Sequence, residues 1–159
     1  MQRDETRTGQ PRFRVGVFAV IERDGRYLLA RRADIGWWNL PGGGLEYEET
    51  VEEGLAREVR EEIGAEIEII RLVGVYSKPR KREIVLSFLC HLAASSPEPT
   101  TSDEICEVGW FAPGALPDRV LPKHRQRVED ALLDQPMALI RTQGTSTEED
   151  QRLGPSHLA

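Results

Sequence analysis

One segment, from about Glu48 to Ile63, constrains the fold more than any other part of the sequence. Its apolar residues recur every four positions, at Val51, Leu55, Val59 and Ile63. This spacing predicts an amphipathic helix of about four turns. Gly64 follows at the position where a left-handed residue commonly ends a helix. The chain must therefore provide another layer of structure against which this apolar stripe can pack.

Patterns typical of β-strands flank this helix on both sides. Before it, "RFRVGVFAVIE" and "YLLARR" surround "RDGR", which predicts a hairpin turn at Asp24 and Gly25. After it, three further strands are predicted in "EIEIIRLVGVYS", "REIVLSFLCHLAA" and "EICEVGWFA". "KHRQRVEDALLD" predicts a second helix, with Val128, Ala131 and Leu132 on its apolar side. This order of elements predicts an α/β sandwich with a mixed sheet.

Three regions lack such patterns. The loop "ADIGWWNLPGGGLE" contains Pro41 and three successive glycines, which we expect to exclude regular structure. Residues 1–11 are polar, and residues 141–159 contain few large apolar groups. We therefore predict a flexible N-terminal tail, one domain at residues 12–140 and a disordered C-terminal tail at 141–159.

Composition excludes several classes of function. A net charge of -6 argues against general binding to nucleic acids or anionic membranes, because both require a basic face. No apolar run approaches the roughly 20 residues of a transmembrane helix, and the N-terminus lacks the apolar core of a signal peptide. We therefore expect a cytoplasmic protein. Cys90 and Cys106 do not form a C-x-x-C pair, so we predict buried, reduced thiols.

The predicted helix concentrates negative charge in "REVREEIG". Glu61 and Glu62 follow Glu58 by three and four positions, spacings at which like charges destabilise a helix by about 0.2–0.5 kcal/mol per pair. A solvated acidic face is one explanation. The preceding "PGGGLE" favours another, because glycines let backbone carbonyls approach an ion closely. Carboxylates and carbonyls together can form an all-oxygen site for Mg²⁺ or Mn²⁺.

These residues resemble the Nudix box, G-x5-E-x7-R-E-U-x-E-E-x-G-U, where U is aliphatic. The positions that agree are Gly43, Glu49, Arg57, Glu58, Val59, Glu61, Glu62 and Gly64. Only the final U departs, where Ala65 replaces Ile, Leu or Val, a change that affects packing rather than chemistry. The likeness to MutT-type Nudix domains extends over about residues 12–135, through "WWNLPGGGLE" and "EVGWFAPGALP". It implies the Nudix fold, an α/β/α sandwich with a mixed β-sheet.

The resemblance also implies an enzyme and its metal. Nudix hydrolases use water and divalent cations to cleave the pyrophosphate of a nucleoside diphosphate linked to another moiety. By this resemblance Glu58, Glu61 and Glu62 hold Mg²⁺ or Mn²⁺, and Glu58 also orients or deprotonates water. The carbonyl of Gly42 or Gly43 completes the coordination.

The resemblance assigns supporting roles to further residues. Arg57 balances the charge of the carboxylates, and Glu49 pairs with Arg57. Gly43, Glu49 and Gly64 serve the structure of the box. The loop "SSPEPTTSDE" supplies a further ligand or base in some relatives, and Glu104 is the preferred candidate there over Glu98 and Asp103.

The substrate is expected to be a small nucleotide: ADP-ribose, a nucleotide sugar, a dinucleotide or a (d)NTP. Arg31, Arg32, Trp38 and Tyr76 are the candidate substrate contacts, although a core role for the two aromatic residues is the alternative. Strand alternation sends Arg31 and Arg32 to opposite faces. The cations of "SKPRKR" are predicted to form a solvated hairpin tip.

One alternative to the enzyme is a Nudix-like domain that binds nucleotides as a sensor or regulator without hydrolysing them. Such domains typically lose glutamates of the box, whereas this chain keeps all three. We expect a monomer or homodimer.

Overall fold

The computed structural model describes residue 9 and residues 12–133, 135–144 and 147–153. The strands of this described part are β1 (Arg14–Arg23), β2 (Arg26–Arg32), β3 (Trp38–Asn39), β4 (Gly42–Gly44), β5 (Ile67–Lys78), β6 (Glu83–Leu92), β7 (Ile105–Phe111) and β8 (Leu139–Thr142). Its helices are α1 (Val51–Ile63), α2 (Pro122–Leu132) and α3 (Thr147–Leu153). The predicted strands and the two predicted helices are therefore all present.

The strands form one mixed sheet in the order β3-β2-β1-β6-β5-β8, with β4 added to β1 and β7 added to β2. β1 and β6 run parallel, as do β5 and β8, whereas the remaining pairs are antiparallel. The hairpin between β1 and β2 turns at Asp24 and Gly25, whose φ angles of 53° and 74° suit a tight hairpin turn. The sheet is therefore mixed, as predicted.

Two apolar clusters separate the sheet from helices on its opposite faces. The first cluster joins α1 to β1 through Leu55, Val59, Ile63, Val17, Ala19 and Ile21. The second joins α2 to the other face through Val128, Ala131, Val20, Leu29 and Val73. Because successive strand residues point to opposite faces, β1 contributes to both clusters. This arrangement confirms the α/β/α sandwich.

The glycine run forms a strand, so the prediction of irregular structure there is wrong. Gly42–Gly44 pair with β1 in antiparallel register, with Gly44 opposite Gly16 and Gly42 opposite Phe18. A Cβ atom on Gly42 would lie 2.1 Å from the Val17 carbonyl oxygen. Glycine therefore permits a backbone approach that any other residue would block.

The C-terminal segment also differs from the predicted disordered tail, over residues 141–144 and 147–153. β8 pairs with β5, and Lys123 Nζ lies 2.7 Å from Thr147 Oγ1 and 3.7 Å from Asp150 Oδ2. The buried Gln143 side chain accepts a hydrogen bond from Arg127 and donates to the Lys123 carbonyl. Polar contacts hold this segment, which explains why its low apolar content was misleading. Residues 145, 146 and 154–159 lie outside the described residues, as do residues 1–8, 10 and 11 of the predicted N-terminal tail.

Two smaller expectations are also wrong. Leu132 is 44% exposed, so the buried side of α2 contains Val128 and Ala131 without it. Cys106 is exposed, whereas Cys90 is buried as expected, and both are free thiols. In the described residues, no helix is long and apolar enough to cross a membrane.

Candidate active site

Helix α1 begins and ends at residues with strong local signals. Thr50 caps its N-terminus: its side chain accepts a hydrogen bond from the Glu53 N–H, and the Glu53 carboxylate accepts one from the Thr50 N–H. Gly64 ends the helix in the left-handed conformation, with φ 66°, as predicted. Since β4 ends only a few residues before α1, the glycines of β4 lie beside the glutamates of the helix.

Glu62 is a buried carboxyl group at the meeting point of β4 and α1. The Gly42 N–H donates to its Oε2 atom at 3.3 Å. Burial, with smaller contributions from the nearby charges of Glu58 and Glu104, raises the pKa of Glu62 to about 8. The structure therefore brings three acidic side chains together at this point, two from α1 and one from the loop before β7.

Glu58 lies against the second glycine of the run. A Cβ atom on Gly43 would lie 2.6 Å from the Glu58 carboxylate, so the absence of a side chain leaves the space that this carboxylate occupies. Burial raises the pKa of Glu58, and this effect outweighs the opposing charge of Arg57. The glycine at position 43 of the box is thus explained by its close contact with Glu58.

Arg57 links the carboxylates of the box. Its Nη1 donates to Glu58 Oε1 at 3.1 Å and to Glu61 Oε2 at 3.2 Å. Its Nη2 donates to Glu49 Oε2 and to the Gly44 carbonyl, each at 3.0 Å. The predicted pair of Arg57 and Glu49 is therefore present, and the arginine offsets the repulsion between Glu58 and Glu61.

A cavity of about 680 Å³ opens beside these carboxylates. Its acidic end includes Gly42, Gly43, Glu62, Asp103 and Glu104. Six basic side chains also line the cavity, together with the acidic Asp34, Glu83 and Glu148: Arg14, Arg32, Lys78, Lys81, Lys123 and Arg127. Apart from Arg32, our sequence reasoning missed these cations as site residues. Lys78 and Lys81 were assigned to a solvated tip, yet Lys78 is buried.

The three acidic candidates predicted in the segment before β7 do not all lie at the cavity. Glu104 and Asp103 line the cavity, and the charge of Glu104 contributes to the raised pKa values of Glu58 and Glu62. Glu98 instead pairs with Arg23, with Nη2 and Oε1 2.8 Å apart. Glu104 and Asp103 therefore lie at the cavity, and Glu98 does not.

The predicted aromatic substrate contacts lie in the core. Trp38 is 8% exposed and packs edge to face against Phe111, with ring centroids 5.1 Å apart. Tyr76 is fully buried and donates its hydroxyl proton to Asp130 Oδ2 at 2.8 Å. Assigning Trp38 and Tyr76 to substrate binding is therefore wrong, because burial leaves neither ring a free face at the cavity.

The two arginines at the end of β2 point to opposite faces, as predicted. Arg31 forms an ion pair with Glu107 at 2.8 Å and lies outside the cavity lining. Arg32 lines the cavity and forms an ion pair with Asp34 at 2.6 Å. Its positive charge acts to lower the pKa of Glu62, against the effect of burial. Arg32 is therefore the one of the two that can reach a ligand beside the carboxylates.

The donor set fits a divalent cation of the hard type. Within the described residues, no three His, Cys, Asp or Glu side chains are already arranged around a common metal position. The atoms available at the acidic end are nevertheless carboxylate and glycine carbonyl oxygens, the ligands that Mg²⁺ and Mn²⁺ prefer. The space that a Cβ atom on Gly43 would fill holds the Glu58 carboxylate, which therefore lies against the backbone of β4.

Comparisons with known proteins agree with this architecture. The NUDIX domain profile matches residues 10–132. A MutT-like protein of Streptomyces ambofaciens is 41% identical over 133 residues, covering 83% of this chain and 85% of the relative. An ADP-ribose pyrophosphatase of Methanocaldococcus jannaschii is 35% identical, covering 73% and 71%. The crystal structure of a NUDIX hydrolase from Nitrosomonas europaea superposes with a TM-score of 0.76 at 27% identity, covering 86% and 81%.

The fold, the acidic helix and these likenesses define a hydrolase of the α/β/α sandwich class. The chain belongs to the Nudix family. It is therefore an enzyme that hydrolyses pyrophosphate linkages in small nucleotide substrates, with the divalent metal requirement general to that family.

Proposed function

We propose that this enzyme cleaves a nucleoside diphosphate linked to another moiety and releases a nucleoside monophosphate and a phosphorylated remainder. The observation that carries this proposal is the convergence of Glu58, Glu62 and Glu104 beside Gly42 and Gly43. The adjacent cavity of about 680 Å³ lies within the usual size range of small-molecule sites, about 300–1,000 Å³.

The metal site is assigned to the carboxylates of α1 together with the adjoining acidic end of the cavity. Glu58, Glu61 and Glu62 would hold Mg²⁺, or Mn²⁺ in its place, with the carbonyl of Gly42 or Gly43 and with Glu104 as a further ligand. When bound, the cation neutralises charge on the pyrophosphate and lowers the pKa of water.

The side chains of the box act on water and on each other. Glu58 orients the attacking water and accepts its proton, a role that suits a carboxyl group whose pKa is raised by burial. Arg57 keeps Glu58 and Glu61 in place through its Nη1 atom. Arg32, at the cavity wall, is placed to bind a phosphate oxygen.

The relative from Methanocaldococcus jannaschii makes ADP-ribose the first substrate to test. A panel of ADP-ribose, nucleotide sugars, dinucleoside polyphosphates and (d)NTPs is incubated with Mg²⁺ and then Mn²⁺, and the products are separated by chromatography. We expect a nucleoside monophosphate from at least one member of the panel, and Glu58→Gln is the matched inactive control.

Calcium provides a further check on the same assay. Ca²⁺ accepts longer and looser oxygen coordination than Mg²⁺, so we expect it to inhibit. Full turnover in excess chelator would overturn the metal assignment, and no hydrolysis of any panel member would overturn the proposed reaction.

A further inference from the structure

A group of buried basic side chains lies in the same cavity. We name Lys78, Lys123, His124 and Arg127 the α2 basic pocket, because three of the four belong to α2. Their exposed fractions are 7%, 7%, 3% and 1%, respectively. Lysine and arginine are rarely buried to this degree without paired charges. The charge balance of this pocket therefore indicates what it binds.

Arg127 carries the strongest signal. Its guanidinium lies 4.9 Å from the Phe18 ring centroid and 5.3 Å from that of Tyr76, and its Nη2 donates to Gln143 Oε1 at 2.9 Å. Its Nε and Nη1 are buried and have no hydrogen-bond partner among the described residues. A buried donor without a partner costs about 1–3 kcal/mol, more when charged. This cost indicates that the positive charge of Arg127 serves to bind a ligand rather than to stabilise the fold.

The two lysines add donors and positive charge. Lys78 Nζ donates to Glu83 Oε2 at 2.8 Å, and Lys123 Nζ donates to Thr147 Oγ1 at 2.7 Å with Asp150 at 3.7 Å. Each ammonium has three N–H donors, so these contacts leave capacity for another acceptor.

The buried charges of the pocket do not balance. Three buried cations face the two carboxylates of Glu83 and Asp150, and the rim adds Arg14 and Lys81 against Glu148. Burial, with smaller contributions from the charges of Lys78 and Arg127, lowers the pKa of Lys123 to about 8. The pocket therefore has an excess of positive charge.

The beginning of α2 adds to this electrostatic field. Leu121, the N-cap residue, lines the cavity and makes no side-chain capping hydrogen bond. The partial positive charge of the helix N-terminus is thus directed at the pocket. The Leu40 N–H donates to His124 Nδ1 at 3.1 Å, which makes the ring neutral with its proton on Nε2. His124 therefore contributes an N–H donor at the cavity wall.

We propose that the α2 basic pocket binds a phosphate group other than the two phosphates joined by the scissile linkage. This proposal rests on the proposed function and narrows its substrate class to nucleotides with an additional phosphate, such as the third phosphate of a nucleoside triphosphate. Free phosphate has the same chemistry and is the other source of this ligand. The acidic end of the cavity and the α2 basic pocket divide the substrate between metal-dependent and metal-independent contacts.

The first experiment uses inorganic phosphate with excess chelator, so that the metal site does not contribute. Melting and calorimetric titration are compared at constant ionic strength for the wild type, Lys78→Gln and Lys123→Gln. We expect phosphate to stabilise the wild type and its affinity to fall at least fivefold in both variants. Arg80→Gln is the matched control, because Arg80 is an exposed cation beside Lys81 that does not line the cavity.

The second experiment distinguishes the sources of the phosphate. A nucleoside triphosphate is compared with the same nucleoside diphosphate linked to a neutral sugar. If the substrate supplies the phosphate, Lys123→Gln raises KM for the triphosphate at least tenfold and leaves KM for the sugar nucleotide within twofold. If both KM values stay unchanged while phosphate binding is lost, the pocket binds free phosphate.

The proposal is overturned if phosphate fails to stabilise the wild type in chelator, or if the lysine variants bind phosphate as well as Arg80→Gln does. Neither result depends on hydrolysis. The proposed function fails separately, if the wild type cleaves none of the panel or Glu58→Gln retains its turnover.

Discussion

The negative charges of Glu58, Glu61 and Glu62 lower the stability of the fold, and single substitutions can measure this effect for each residue. Each change to Gln keeps the side-chain shape, and at pH 9, above the Glu62 pKa of about 8, it removes one negative charge. We expect slightly higher melting temperatures in chelator, most clearly for Glu62→Gln, because its carboxyl group is buried. With saturating Mg²⁺, turnover should fall by on the order of 10³, about 4 kcal/mol of barrier, for at least one variant.

Glu52→Gln is the control for this series, since it removes one charge from an exposed position of the same helix. The catalytic assignment of α1 is wrong if all three variants keep turnover within about threefold of the wild type, under 1 kcal/mol of barrier.

Lys123 predicts a pH dependence of stability. Its pKa in the folded protein is about 8, against 10.5 for an exposed lysine, chiefly because burial disfavours the charged form. Between these values the unfolded chain binds more protons, so stability rises with pH across the window from about 8 to 10.5. The rise amounts to at most about 3 kcal/mol.

We therefore expect the free energy of unfolding of the wild type to increase relative to Lys123→Met over this window. Denaturant titrations at pH 7.5, 9 and 10.5 measure the difference. Parallel pH profiles for the two proteins would show that burial does not lower the pKa of Lys123.

Single residues also mark the limit of sequence-based prediction. Glu49 and Arg57 were paired correctly, because both belong to one short motif. Trp38 and Tyr76 were misassigned, because their burial depends on Phe111 and Asp130, which lie far away in the sequence. An aromatic residue at the end of a strand has the same local pattern whether it lines a site or fills a core.

At the scale of elements, strand β4 and helix α1 make a direct prediction. A Cβ on Gly43 would meet the Glu58 carboxylate at 2.6 Å, whereas a Cβ on Gly44 has no atom within 4 Å. Gly43→Ala should displace the carboxylate and lower turnover at least tenfold, whereas Gly44→Ala should retain activity. Steady-state kinetics with melting curves measure both effects.

The two alanine variants differ by one position in the same strand, so general weakening of β4 would affect both. Equal activity in the two variants would contradict a catalytic role for the contact between Gly43 and Glu58.

The elements differ in how far the sequence could predict them. Helix α1 has local signals, an apolar stripe and the cap at Gly64, and its prediction is correct apart from the start of the helix at Val51 rather than Glu48. Strand β4 has no local signal, because glycine disfavours strands in isolation. It forms because β1 provides an edge that backbone without side chains can approach.

At the scale of the whole molecule, the C-terminal segment is expected to stabilise the domain. Truncation after Gly144 removes α3 and leaves Lys123 without Thr147 and Asp150. Loss of partners to a buried charge costs about 1–3 kcal/mol or more, which corresponds to a fall in melting temperature of about 3 °C or more.

Truncation after Leu153 removes only residues 154–159 and is the matched control. Differential scanning calorimetry of the two shortened proteins and the full chain measures the effect. Identical melting temperatures for all three would support the original prediction of a tail that contributes nothing.

The complete cavity shows why half of a site can be predicted and the other half cannot. In its acidic end, Gly42, Gly43 and Glu62 come from one contiguous motif, and Asp103 and Glu104 come from the loop before β7. Its basic end combines Arg14 of β1, Lys78 of β5, Lys81 of the following turn and two residues of α2. Only the sheet order and the placement of α2 bring these cations together, and neither was fixed by a local pattern.

The parallel pairing of β1 with β6 has a consequence for the order of folding. β1 is made first, but its partner at Glu83–Leu92 follows some seventy positions later in the chain. A nascent chain emerging from the ribosome therefore presents the β1 and β2 hairpin with an open edge until β6 has been synthesised. Contacts between residues so far apart in the sequence slow folding. We therefore expect the pairing of β1 with β6 to limit the folding rate.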